Sequence, residues 1–541
     1  LKDLQKLGVD VVSVAGLEAG DTFSVNMGGL TTTDLPPGSK LPKFDSALNV
    51  TLDVTDVDQF HQATQMSSQL LAANIDNVDI TVAADADGFY APAVAELSGN
   101  ATLRADITTL AHAGVNPGLD FGGKDVVVDI NFDAVSVTNL IADGLHFAAN
   151  DHISMDVVGH SSSTHLSNSL KDLHKLGIDA VSITSEGVYV TDSVVVDSGG
   201  LTASDLTNGA LLPQFDSALN VTLSVANPSE FNSSSQLATQ LHDAHIDNVE
   251  VVLDVTDQYA FDTAFQSLIN DASFTANVAT LTNNGISTGI DLGGADVSTI
   301  VKIDEAIADG ISALNLHYAD NDFVIFDETL TATQTHLSTS IKDLHKLGVD
   351  AVTVTGVDNL HVTLGTSDIN DFSPYSPLPF FDPLNPDLDV TLDVGHNAAQ
   401  FGLAADIALA LHTTHVDNVK FDVLDAGPTG FANDLLALAT NTSFINDVDA
   451  LKANMVGVEL DLGGASTQGA LSINEQQATA LIAAGVHFSD ADHITLNATG
   501  TFHQNHLADL HKLGVDTFEP HVTQSTQMAS LSSALHDAGT T

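Results

Sequence analysis

The chain repeats itself about every 170 residues, so whatever fold it adopts must close or continue at that interval. Leu4-Gln5-Lys6-Leu7-Gly8-Val9-Asp10 returns as Leu173-His174-Lys175-Leu176-Gly177-Ile178-Asp179, then at 344–350 and again at 510–516. Ile75-Asp76-Asn77-Val78 is matched by Ile246-Asp247-Asn248-Val249 and by Val416-Asp417-Asn418-Val419, steps of 171 and 170 positions. Phe44-Asp45-Ser46-Ala47-Leu48-Asn49 recurs at 215–220, and the glycine pair after Leu119-Asp120-Phe121 recurs at 293–294 and 463–464. Ile141-Ala142-Asp143-Gly144 is matched to 307–310 and 482–485. These landmarks divide the chain into periods at 1–165, 166–336 and 337–502, with a partial fourth at 503–541.

Within a period the pattern is an apolar helix followed by a short strand. Leu166, Leu170, Leu173 and Leu176 form one stripe of a 3.6-residue helix, and Gly177 supplies a left-handed stop. Ile178-Asp179-Ala180-Val181-Ser182-Ile183 then reads as a strand. The same unit recurs at 66–82 with Asn74 at the stop, at 106–121 with Gly114, and at 137–157 with Gly144. Helices alternating with strands over such distances predict an α/β fold with right-handed crossovers and a mainly parallel sheet. No long linker rich in Gly, Ser or Pro separates the periods, so we expect tandem helix-strand repeats in a continuous α/β solenoid rather than separate beads. Leu1 begins inside the recurring helix and 534–539 halts before a strand, which suggests a piece of a longer array. Between 16 and 52 the helix signal lapses among Gly28-Gly29, Pro36-Pro37-Gly38 and Pro42, and reads as an extra hairpin or loop excursion. Its third-period counterpart, 373–379, is richer in proline and suits an exposed insertion.

Charge narrows the partners. With 14 basic and 71 acidic residues the net charge is −57, which repels phosphate backbones and argues against nucleic acid. The apolar content of 43% is enough for a folded core. Cysteine is absent, which removes disulfides, thiolate metal sites and cysteine nucleophiles. No apolar run is long enough to span a bilayer. Seven of the 14 basic residues, Lys2, Lys6, Lys171, Lys175, Lys342, Lys346 and Lys512, fall in the recurring helix, where lysine complements the carbonyl end of the helix dipole. Alternatively they meet acidic faces of neighbouring copies.

Chemistry is confined to polar turns. Asn150, Asp151 and Asp156 in the first period, Asp320, Asp322 and Asp327 in the second, and Asp490 and Asp492 in the third are candidate calcium ligands, because oxygen side chains two apart in a turn can converge on a hard cation. The competing reading is that Asp and Asn make turns and helix caps. Neither the EF-hand loop nor the Gly-Gly-x-Gly-x-Asp repeat is present. The 23 histidines include the matching set His146, His317 and His487, but His152 and His493 flank a copy that has Phe323, and His242/His245 and His412/His415 face Leu71/Asn74 in the first period. Polar packing accounts for them better than zinc does. No Gly-x-Ser-x-Gly elbow, His-Glu-x-x-His or phosphate loop occurs, so no catalytic residue is assigned. The Asn-x-Ser/Thr sites at Asn49, Asn100, Asn220, Asn232, Asn441 and Asn497 match what chance gives in a chain rich in these residues.

The copies of Asp-Leu-His-Lys-Leu-Gly-Val-Asp, followed by alternating Val, Thr and Ser, resemble the repeats of very long, acidic, cysteine-free surface proteins of Gram-negative bacteria: adhesins, surface-layer and matrix proteins. That resemblance implies an extracellular or cell-surface location, a structural or adhesive role without enzyme activity, and often export by a one-step secretion route. Repetition supports the same class, since stacked units gain length and present one chemistry at regular intervals, as a filament, coat or stalk does. We expect self-association with neighbouring copies, and calcium as the one cofactor. The alternative is a calcium-dependent module that recognises a surface polymer or host surface.

Overall fold

The computed structural model describes all residues except 18–20, 36–38, 83–99, 122–129, 149–150, 160–162, 186–192, 207–210, 254, 256–257, 294–300, 320–321, 332, 373–376, 382–387, 424–434, 436, 463–470, 490–491, 500–506 and 522–541. The chain forms two compact units, one of residues 1–253 with 264–291 and the other of 254–263 with 292–541.

In the first unit, helices end where one residue turns left-handed. Gly114, Gly144 and Gly177 have φ of 84°, 74° and 88° and cap the helices Ala101–Ala113, Ala134–Asp143 and Leu170–Leu176. Asn74 and His245 take the same conformation at φ 59° and 60° without glycine's freedom. Each is compensated by a similar bond: Asn74 Nδ2 donates to the Phe44 carbonyl at 2.7 Å, and His245 Nδ1 lies 2.8 Å from the Phe215 carbonyl. Asparagine and histidine are interchangeable there because both place a nitrogen donor at the same point.

After each stop the chain lays a strand beside an earlier one. Thr22–Asn26, Asn49–Val54, Asn77–Thr81, Asn116–Asp120 and His146–Phe147 form one sheet in chain order, every pairing parallel. Ser163–His165, Ser193–Asp197, Asn220–Val225, Asn248–Val252 and Ser287–Asp291 follow the same rule. So do Ile130–Asp133, Ile153–Gly159, Ala180–Ser185 and Gln214–Phe215. Of the expected hairpin or loop excursion, the hairpin is not formed: Thr22–Asn26 and Asn49–Val54 pair parallel, Thr22 opposite Asn49. The connection between them is long enough, through the 3₁₀ turn Thr32–Asp34, to carry the chain back and start the second strand in the same direction.

The second unit repeats the scheme. Asn359–Thr363, Asp389–Asp393, Asn418–Asp422, Gly457–Asp461 and His487–Phe488 make a parallel sheet in chain order. Val301–Ile303, Val324–Thr329, Ala351–Thr355 and Phe380–Phe381 make a second, and Leu471–Asn474, Ile494–Thr499 and Thr517–His521 a third. Gly348 and Gly485 stop helices at φ 76° and 75°, and Asn315 and His415 do so at φ 55° and 63°. Gly310 is not a stop. It lies inside the helix Glu305–Ala313, so the counterpart of Gly144 is Asn315 rather than the glycine its flanking residues suggest.

The core is built from equivalent side chains. Phe60, Phe231 and Phe401 are all buried at 1% exposure or less. Phe231 packs on Phe274 and Phe401 on Phe444, with ring centroids 4.8 Å apart in both. Each such side chain stabilises the fold by about 1.5–3 kcal/mol relative to exposure. Among the described residues no helix is long and apolar enough to cross a membrane.

Candidate functional site

The repeated motifs are explained first by what their aspartates hold. Asp76, Asp247 and Asp417 each donate their backbone N–H to residue 50, 221 or 390, the carbonyl near the start of the preceding strand, at 2.8–2.9 Å. Their carboxylates accept the N–H of that same residue, Val50, Val221 or Val390, at 2.9 Å. Asp179, Asp350 and Asp516, from the Leu-Gly-Ile/Val-Asp motif, do the same to Ile153, Val324 and Ile494, donating at 2.8–3.0 Å and accepting at 2.7–2.8 Å. Both motifs are therefore one device, an aspartate clamp that sets the register of the strand it opens on the neighbouring strand of its sheet.

The calcium candidates separate in the same way. Asp151 is buried, and its carboxylate accepts the Phe121 N–H at 3.1 Å. Asp322 accepts the Leu292 N–H through both oxygens at 3.1–3.2 Å, and Asp492 the Leu462 N–H at 3.0 Å. These are ties between a turn and the carboxyl end of a strand. Burial pushes the Asp151 and Asp492 carboxyls up to about 6, with neighbouring carboxylates adding to it and the N–H bond opposing it. Asp156 accepts from Ser182 Oγ, and Asp327 pairs with Lys302 Nζ at 2.6 Å. Asn150, Asp320 and Asp490 lie outside the described residues. Among the described residues, none of these aspartates joins a group of three ligand-bearing side chains.

Lysines also divide. Lys6, Lys175, Lys346 and Lys512 stand in last helical turns, where the dipole favours them. Lys2, Lys171 and Lys342 stand in the first turn instead and pair with Asp34, Asp205 and Asp371 at 2.9–3.0 Å. The bond from Lys2, followed by that from Thr31, holds the Asp34 carboxyl down at about 2. Two of the Asn-x-Ser/Thr sites are helix caps: Asn100 accepts the N–H of Thr102 and Asn441 that of Ser443, both at 3.0 Å.

Charged and imidazole side chains line up in rows across the strands. In the first period Asp53 opposes Asp79, Asp79 opposes Gly118 and Gly118 opposes His146. His146 Nε2 lies 3.3 Å from Asp79 Oδ1, and its Nδ1 lies 2.8 Å from the Pro117 carbonyl. A Cβ on Gly118 would overlap both the carboxylate and the imidazole, so glycine is what lets them meet. Burial, then Asp120 and Asp79, pushes the Asp53 carboxyl up to about 6. The third period has Asp393 opposite Lys420, Lys420 opposite Glu459, and Glu459 opposite His487. Lys420 Nζ lies 3.1 Å from both Asp393 Oδ1 and Asp461 Oδ2.

Beside that lysine is the one group of three His or Asp side chains, among the described residues, whose ligand atoms all lie within 4.8 Å: His336, His361 and Asp393. His336 Nε2 is 3.4 Å from Asp393 Oδ2, and His361 Nδ1 is 3.3 Å from Asp393 Oδ1. The two rings stack with centroids 4.6 Å apart and planes at 15°. Burial, then the adjacent His361, lowers the His336 pKa. Sequence reasoning missed this group because it compared histidines one period apart. His336 and His361 are instead one strand step apart, paired by a parallel bridge.

An open depression lined by Asn474, Glu475, Gln476, Thr479 and Asn497 carries no convergent chemistry. Compared with known proteins, the chain matches no family model, no curated protein and no solved structure.

Proposed function

We propose that the protein is a non-enzymatic structural repeat element of the cell exterior, a continuous α/β solenoid that builds a filament, coat or adhesive stalk. The observation that carries this reading is the aspartate clamp, found at six strand starts and at equivalent places in successive periods. Strands added in chain order, each fastened to the one before, give a scaffold that grows by addition. The repeated polar residues that look most like chemistry in the sequence are spent on register and turn closure. A charge of −57 opposes lateral packing, so divalent cations act in this reading as counter-ions that let acidic faces approach.

Small-angle scattering of the whole chain tests the shape. A compact chain of this length has a radius of gyration of roughly 24 Å. The solenoid predicts a value well above that and a long tail in the distance distribution. A radius near the compact figure overturns it. Scattering with calcium and with chelator tests the association: identical profiles at high protein concentration remove the counter-ion role and leave the solenoid standing.

A further inference from the structure

We propose that His336, His361 and Asp393, at the junction of the second and third periods, form a binding site for one zinc ion. Zinc takes nitrogen and oxygen ligands at about 2.0–2.2 Å in a tetrahedron, whose ligand atoms then stand roughly 3.3 Å apart. One ligand atom from each residue lies within 4.8 Å of the other two, and His336 Nε2 stands 3.4 Å from Asp393 Oδ2, near that edge length; His361 Nδ1 is 3.3 Å from the other oxygen, so closing on one ion takes a rotation of an imidazole out of the stacked arrangement. Three protein ligands leave a fourth position for water or a group from another molecule.

The surroundings suit a metal ligand set. Thr335 Oγ1, 3.2 Å from His336 Nδ1, engages the ring's other nitrogen and leaves Nε2 on the Asp393 side. Lys420 and His361 both stand on Asp393 Oδ1, which leaves Oδ2, on the His336 side, as the oxygen for the ion, and Asp461 shares the ammonium charge. His336 is 61% exposed, so an ion reaches the site from solvent. The junction of the first and second periods shows what is special here. His165 occupies the place of His336 and sits 3.4 Å from Asp197, but Val195 stands where His361 would be and Ser224 where Asp393 would be. Among the described residues the nitrogen pair and the carboxylate coincide only here.

The chain's many carboxylates bind any divalent ion weakly, so the test exploits ligand type. Imidazole favours zinc, whereas magnesium prefers oxygen alone. Zinc is titrated into the whole protein in a large excess of magnesium, by calorimetry and by competition with a chromophoric chelator. One equivalent that survives the magnesium is expected. H336Q and H361Q should each weaken it by about tenfold or more, the scale on which even supporting groups change metal affinity. H165Q should leave it unaltered. Cobalt in place of zinc should give the visible absorption of a four-coordinate nitrogen-oxygen site, lost in H361Q. If no equivalent survives magnesium, or if H336Q and H361Q both retain it, the site does not exist. Should either variant fail to fold, zinc-dependent shifts of the His336 and His361 imidazole signals in the unaltered protein decide: shifts confined to these two support the site, and their absence overturns it.

Discussion

At the residue scale, one side chain accounts for much of the sequence's regularity. An aspartate at a strand start uses its N–H and its carboxylate on the same residue of the previous strand, and the geometry recurs at Asp76, Asp179, Asp247, Asp350, Asp417 and Asp516. Replacing Asp247 with alanine leaves the part-buried Val221 N–H without its carboxylate partner, which costs about 1–3 kcal/mol. Urea unfolding should show that loss, while Asp247→Asn, which keeps an acceptor oxygen, should lose less. The glycine between Asp79 and His146 makes a sharper case. Gly118→Ala forces a methyl into both neighbours, and a destabilisation of about 1–3 kcal/mol is expected on thermal melting. The buried carboxyls also give a pH dependence with a definite sign. Asp53, Asp151 and Asp492 have folded pKa values of about 6, above the roughly 3.9 of an unfolded aspartate. Their contribution to stability is fully present below about 4 and is lost as pH rises through about 6. The melting temperature should therefore be higher at pH 5 than at pH 7, and Asp151→Asn with Asp492→Asn should shrink the difference. A melting temperature that climbs over that interval would refute the assignment.

At the element scale, the helix-stop-strand unit was legible because each part has its own local cause. Leucine spacing marks the buried face of Leu170–Leu176, glycine marks the reversal at Gly177, and β-branched residues mark the strand that follows. What the sequence hides is the path between elements. Thr22–Asn26 and Asn49–Val54 have the composition of a hairpin, but direction depends on how far the intervening chain travels, and composition does not record that. The register of the second period was misread at Gly310 for a related reason, since Asn315 does a glycine's work without being one. His336 and His361 were invisible as a pair until the strands were placed side by side. The first-turn lysines tie helices to the turns that follow. Because Lys171 and Asp205 are each only about one-fifth exposed, Lys171→Met should cost more on urea unfolding than the roughly 0.2–1 kcal/mol of a fully exposed pair, and only part of the loss should fade in high salt.

At the scale of the whole molecule, repulsion among acidic residues opposes both folding and packing. Raising ionic strength from about 0.01 M to 1 M shortens the screening length from roughly 30 Å to 3 Å. The melting temperature should rise over that range, and sodium chloride alone should produce most of the gain. Calcium at millimolar concentration should add to it only if the ions bridge carboxylates, which is the quantity to compare against a chelated control. The clamps have one further implication, for how such a gene changes over time. Each of the six aspartates reaches only to the neighbouring strand of its own sheet, so in a continuous array the duplication or deletion of a whole period by unequal recombination would leave each clamp a matching partner. On that reading, length could drift between generations without the clamps being lost.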